Sequence, residues 1–239
     1  MKGFPKLILD IAMGAVVPIL ILNNLTRPLG APAAYVLAAL VPVVYVLVDT
    51  VLISRRFNVI TSYIALTAIM NGILAFWFVD GALYALKDTA AILVSVALFA
   101  GSVMIGKPMV RYFVIQALNP DTPQRTAKFK QLLALPGVER NVVRATWLVA
   151  AQNALTGAFN FALNLSIVTA PFGTELFNQQ VAQVNAVTRI VFPVASLAAF
   201  GIGLTLVFRS LYAILPKEGG EAADGGEIWA LVDRWEPAA

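Results

Sequence analysis

Cysteine and histidine are both absent from the chain. Without cysteine there is no disulfide framework, no thiolate nucleophile and no Cys-ligated metal. Without histidine the commonest general base and the commonest metal and haem ligand are missing too. Charge is scarce as well: Asp, Glu, Lys and Arg make up 13% of the 239 residues, about half the usual share of a soluble domain. A soluble body of this length needs more polar surface than that to cover its core. The net charge is only +4, and the basic residues sit in short segments between apolar stretches. That distribution does not read as nucleic-acid binding.

What the chain does have is apolar length: 59% of its residues are hydrophobic. A bilayer core about 30 Å thick needs roughly 20 apolar residues in a helix. A lipid-exposed segment must also satisfy its own backbone hydrogen bonds, which favours helix. The short alternating strands of a membrane barrel are not evident. The expected fold is therefore all-α, a polytopic transmembrane bundle within residues 1–215. Its six spans are expected near 7–25, 33–53, 59–79, 89–105, 145–170 and 186–207. The apolar run that begins at Leu7 has the length of a span rather than of a signal peptide. With these spans, Arg27, Lys87 and Arg189 fall on one side and the rest of the 17 Lys and Arg residues on the other. The positive-inside rule then places both ends in the cytoplasm.

The connection 106–144 is basic, with Tyr112, Phe113, Phe129, Leu132 and Leu133 interleaved among its charges. It suits a surface for anionic lipid headgroups, at about 1 kcal/mol per basic residue, or it serves only to fix topology. Residues 216–239 read as an acidic tail whose first part, 217–226, is a Gly-rich flexible linker. Residues 227–235 then read as a short amphipathic helix, or else as the end of a disordered tail. Ile228, Trp229, Val232 and Trp235 share one face of the helix, as in a docking peptide or an interfacial anchor.

A charge inside a span is a functional candidate by default. Asp49 lies about one turn from the cytoplasmic end of the second span. It reads either as a proton or cation site or as the partner of a cytoplasmic arginine. In the fifth span Asn153, Asn160 and Asn164 are spaced by seven and four residues, which puts them on one helical face within about 40°. Asn71 in the third span is a possible partner. Such a stripe is either a polar solute path or a set of interhelical hydrogen bonds worth about 0.6 kcal/mol per contact. Pro18, Pro42 and Pro193 fall inside spans and favour kinks.

One stretch carries a family likeness. Gly106-Lys107-Pro108-Met109-Val110-Arg111 follows Ala100-Gly101-Ser102, and Gly157-Ala158-Phe159-Asn160 comes after the basic connection. This order resembles the bacterial intracellular septation protein A family. It is also similar to a related group of six-span inner-membrane proteins whose first span carries an aspartate, as in Leu9-Asp10-Ile11. By that resemblance Gly106, Lys107, Pro108, Arg111 and Asn160 are motif positions. The resemblance implies a multi-pass protein of the bacterial inner membrane, associated with the cell envelope or division and without enzymatic chemistry.

The residues themselves show no paired carboxylates on a span, no GxSxG, no phosphate loop and no metal-ligand spacing. The expectation is a non-enzyme without a cofactor, acting through membrane lipids, protein partners or copies of itself. Two alternatives stand beside it: a small-solute or proton-coupled transporter that uses Asp49 and the asparagine stripe, and an accessory subunit of a larger membrane complex.

Overall fold

The computed structural model describes residues 9, 12–49, 59–216 and 228–236, the side chains of 59–61 excepted. Every regular element among them is helical. A π-helical turn, α1 (Ala12–Val16), runs into α2 (Val17–Asn24), followed by α3 (Thr26–Leu29), α4 (Ala31–Val48) and α5 (Val59–Ala75). Next come α6 (Gly81–Met104), α7 (Met109–Leu118), α8 (Pro123–Ala134), α9 (Pro136–Ile167), α10 (Glu175–Ile214) and α11 (Ile228–Arg234). The turn containing Arg55 and Arg56, the N-terminal residues with Asp10, and the linker 217–226 lie outside the described residues.

Among the described residues three helices are long and apolar enough to cross a membrane: α4, α6 and α10, with mean hydropathies of 2.2, 1.6 and 2.2 over their best stretches. The chain is thus a helical protein built for association with a membrane. In α10 only 17% of that stretch is buried, and Ile190, Val194 and Leu197 stand exposed along it. Apolar helix surface turned outward over such a length marks contact with lipid or another chain. Helix α9 has the length to cross but is not among the three. Its amides Gln152, Asn153, Asn160 and Asn164 lower its hydropathy.

Several boundaries differ from the sequence expectation in ways that matter for the site. Helix α6 begins at Gly81 rather than near residue 89, so Lys87 and Asp88 lie in its second turn. Gly81 adopts φ +54, a left-handed conformation that suits glycine and lets the chain turn sharply into the helix. Helix α10 begins at Glu175 rather than near 186, so Arg189 sits well inside it. The connection 106–144 contains α7, α8 and the start of α9.

The chain forms two compact units. The first comprises residues 1–97 and 152–196, the second 98–151 and 197–239. In the first, Ile21, Leu22, Ala34, Ala38, Val168, Phe177 and Val181 form a buried cluster with Tyr35 and Tyr84. Its aromatic members meet edge to face. Tyr84 and Phe177 have ring centroids 5.0 Å apart, and Tyr35 and Phe172 5.6 Å. Asn178 joins α10 to α3 and α4 by donating to Thr26 Oγ1 and to the Ala31 carbonyl, both at 2.9 Å.

In the second unit the motif 106–111 has a structural explanation. Gly106 (φ +69) ends α6 as the left-handed residue of a Schellman cap, with Gly106 N–H bonded to the Val103 carbonyl and Lys107 N–H to that of Ser102. Pro108 then opens α7, and Ser102 Oγ accepts from Met109 N–H at 2.9 Å. Arg111 pairs with Glu139 at 2.7 Å. Helix α8 starts at Pro123 behind a Thr122 cap whose Oγ1 accepts from Arg125 N–H.

Helix α11 lies on α8. Ile228, Leu231, Val232 and Trp235 are buried, and Trp229 meets Phe129 at 5.7 Å. Asp233 accepts from Arg125, which also binds Asp121. Lys128 Nζ donates to the carbonyls of Asp233 and Trp235 at the helix C-terminus, where a cation is favoured. The apolar face read from sequence as a docking surface is covered by the chain's own α8.

Candidate functional site

The first unit collects charge among apolar helices, where an ionised group needs partners. Lys87 and Asp88 are neighbours on α6 and leave it in different directions. Lys87 is buried. Its Nζ donates to the Trp77 carbonyl at 2.7 Å and lies 4.8 Å and 5.3 Å from the ring centroids of Tyr35 and Tyr84. Helix α5 has ended at Ala75, which leaves that carbonyl outside any helix and able to accept. The two tyrosine faces supply the rest of the ammonium's environment.

Asp88 is held by α9. Asn160 and Asn164 both donate through Nδ2 to its Oδ2, at 3.0 and 2.9 Å. Asn160 Nδ2 also reaches Thr89 Oγ1 at 3.1 Å, and Thr89 in turn donates to the Ala85 carbonyl. The two helices can approach this closely because residue 157 is glycine. A Cβ there would stand 3.3 Å from Ile92 Cγ2 and 3.5 Å from Thr89 Cγ2. Gly157, Asn160 and Asn164 thus form one face of α9 against residues 88, 89 and 92 of α6. Small residues let helices pack closely, and the amides beside them then bond across.

Arg189 comes from α10. Its Nε donates to Asn185 Oδ1 at 3.3 Å, and its Nη1 donates to the Gly14 carbonyl. Residue 18, four positions on, is proline and has no N–H to offer that carbonyl. The guanidinium donates to it from α10. Asp88 and Arg189 both line a cavity of ≈ 60 Å³ together with Tyr35, Tyr84, Asn185 and Pro18. Among the described residues no ion pair joins Asp88 to Arg189. Asp88 Oδ1 and Arg189 Nη2 make no hydrogen bond among the described residues.

Of the residues singled out from sequence, the structure brings Asn160 and Asn164 together on one carboxylate. That carboxylate is Asp88. Asp49 stands at the end of α4, half-buried, and Asn153 is half-buried on α9. Asn71 is exposed on α5. Asp88 and Lys87 fall in the connection between the third and fourth expected spans, and Arg189 near the start of the sixth. Extending α6 back through the apolar Leu83 and Leu86 would have placed the first two inside a helix. Arg189 already fell within the sixth expected span, where the rule applied to Asp49 applies equally.

The chemistry available is that of binding and proton exchange. A carboxylate, a guanidinium, two phenols and an amide converge on a small cavity. Among the described residues no three His, Cys, Asp or Glu side chains come together as a metal site would need. At the tail, outside the apolar helices, hydrogen bonds and the charge of Arg125 hold the Asp233 carboxyl below its ordinary value. The same contacts raise the Arg125 guanidinium.

Fold and site together define a membrane-associated helical protein with a charged cluster in one of its two units, Lys87 buried and Asp88 and Arg189 half-buried. Comparison with protein-family models, curated proteins and solved structures finds no match. The likeness to the septation family therefore rests on the short motifs around Gly106 and Asn160.

Proposed function

We propose that this chain is a multi-pass membrane protein that carries a small polar solute, with Asp88 and Arg189 as its binding groups. The observation that carries the reading is the pair of opposite charges facing one cavity without touching each other. A structural ion pair would close that gap. A charge kept in apolar surroundings at the cost of desolvation, and left with free hydrogen-bonding capacity, has the character of a binding group. Pro18, in the first turn of α2, lines the cavity, and Pro193 interrupts the α10 hydrogen-bond ladder one turn beyond Arg189, which frees a backbone carbonyl for other partners.

On this reading the chain crosses the bacterial inner membrane six times with both ends in the cytoplasm. The asymmetry of Lys and Arg supports that orientation, and the exposed apolar face of α10 supports direct contact with lipid. The action is binding and release, without enzymatic turnover. A partner-recruiting role for the tail has less support, because its apolar face already packs against α8. The septation-family role in envelope assembly or division is compatible with a carrier but adds nothing to the site.

Uptake of a panel of small solutes into liposomes containing the purified chain tests the proposal. Asp88→Asn and Arg189→Gln should each abolish uptake that the unaltered chain supports. Correctly folded variants that retain full uptake would contradict it.

A further inference from the structure

We infer that the solute is a small zwitterion, an amino acid of about the size of glycine, with its carboxylate on Arg189 and its ammonium on Asp88. The inference rests on the carrier reading above and narrows it to a substrate class.

Three features select the class. The first is charge. The cavity is lined by one carboxylate and one guanidinium, so its formal charge is zero. A lone anion would meet Arg189 but also face Asp88, and a lone cation would face the reverse mismatch. A ligand with both charges satisfies both walls, and the unused hydrogen-bonding positions match it. Arg189 Nη2 has donors to give and Asp88 Oδ1 has lone pairs to receive them. The guanidinium is a preferred partner for a carboxylate.

The second feature is fixation. Each charge is anchored through its other atoms. Asn160 and Asn164 grip Asp88 Oδ2, while Asn185 and the Gly14 carbonyl occupy Arg189 Nε and Nη1. The two groups are thereby kept apart from one another, which preserves the gap between them. An ion pair with freedom to collapse would have no room for a ligand. Preorganisation of this kind lowers the cost of binding.

The third feature is size. At ~10–15 Å³ of probe volume per water-sized group, ≈ 60 Å³ holds about four to six such groups. Glycine has five non-hydrogen atoms. A branched side chain would have to displace Leu22 or Val181, which also line the space. The two tyrosines close the aromatic side, and Lys87 is spent on Trp77 and those rings rather than on the ligand.

The test is calorimetric titration of the detergent-purified full chain with glycine, acetate, methylammonium and leucine. Glycine should bind, and acetate and methylammonium, each with one of its two charges, should bind on the order of ten- to a hundredfold more weakly. Leucine should bind more weakly than glycine. Asp88→Asn should weaken glycine at least tenfold while sparing acetate. These comparisons on the unaltered chain need no variant to fold. Acetate or methylammonium binding as tightly as glycine would overturn the inference. So would heat-silent titrations with all four, which would leave the cavity to water alone. If liposomes show Asp88-dependent uptake of other solutes but glycine does not bind, this inference falls and the carrier reading stands. If glycine binds as described but no solute crosses, the inference stands and the carrier reading falls.

Discussion

Arg189 donates to the carbonyl of Gly14, one turn before Pro18, which has no N–H to offer it. A charge from α10 is thus tied to the backbone of the first helical segment. Replacing Arg189 with Gln removes both the donor and the countercharge of the cavity. The loss should be about 1.5–3 kcal/mol for the charged hydrogen bond alone, read as a lower thermal midpoint in detergent. Arg189→Lys should recover only part of it, since one ammonium cannot reach Asn185 and Gly14 in the same fork geometry.

The asparagines of α9 differ in what they hold. Asn160→Leu removes a donor to the Asp88 carboxylate and to Thr89. A cost of about 1–3 kcal/mol is expected. Asn71→Leu, at an exposed position, should change stability by no more than about 0.5 kcal/mol. Equal losses for the two, measured by denaturant titration in the same micelle, would contradict the placement of Asn160 at the site.

The legibility of this site in the sequence was uneven, for physical reasons. The spacing 157, 160 and 164 is a local property of one helix, and the shared face could be read from it directly. The partner of that face could not be. Lys87-Asp88 has the look of a loop because adjacent charges are usually solvated. Nothing local says that Trp77, two tyrosine rings and two amides will replace the water. The cavity joins Pro18 to Arg189, residues far apart in the chain, and pairings of that kind belong to tertiary structure. The apolar helices and the tail helix were legible because hydrophobic length and period are local. What the tail packs against was not, since Trp229 and Val232 would serve a membrane, a partner or α8 equally well.

Glycine substitutions should change sign with their surroundings. At Gly203 a Cβ would stand 3.1 Å from Ala145 Cβ and 3.5 Å from its Cα, and backbone gives way poorly. Gly203→Ala should therefore destabilise by about 1–3 kcal/mol, as overpacking does. Gly101, inside α6, has nothing within 4 Å of the corresponding position. Gly101→Ala should stabilise by up to about 1 kcal/mol through helix propensity. Thermal midpoints of the two variants check both signs.

The tail should detach in acid. Arg125 holds the Asp233 carboxyl below its ordinary value, so its folded pKa lies under its unfolded one. The stabilisation is then fully present above the ordinary aspartate value of about 3.9 and is lost as pH falls through the lowered one. Proteolytic cleavage near residue 228 should rise over that acid window. Asp233→Asn should show the raised cleavage already at neutral pH.

A single cysteine at the cavity tests the carrier reading most directly, because the native chain has none to compete with it. Ala39 lines the space beside Asp88 and Arg189. In sealed liposomes, Ala39→Cys should react with a membrane-impermeant thiol reagent added from either side, as a solute path through this point requires. Reaction from neither side, with full labelling only after denaturation, would contradict it.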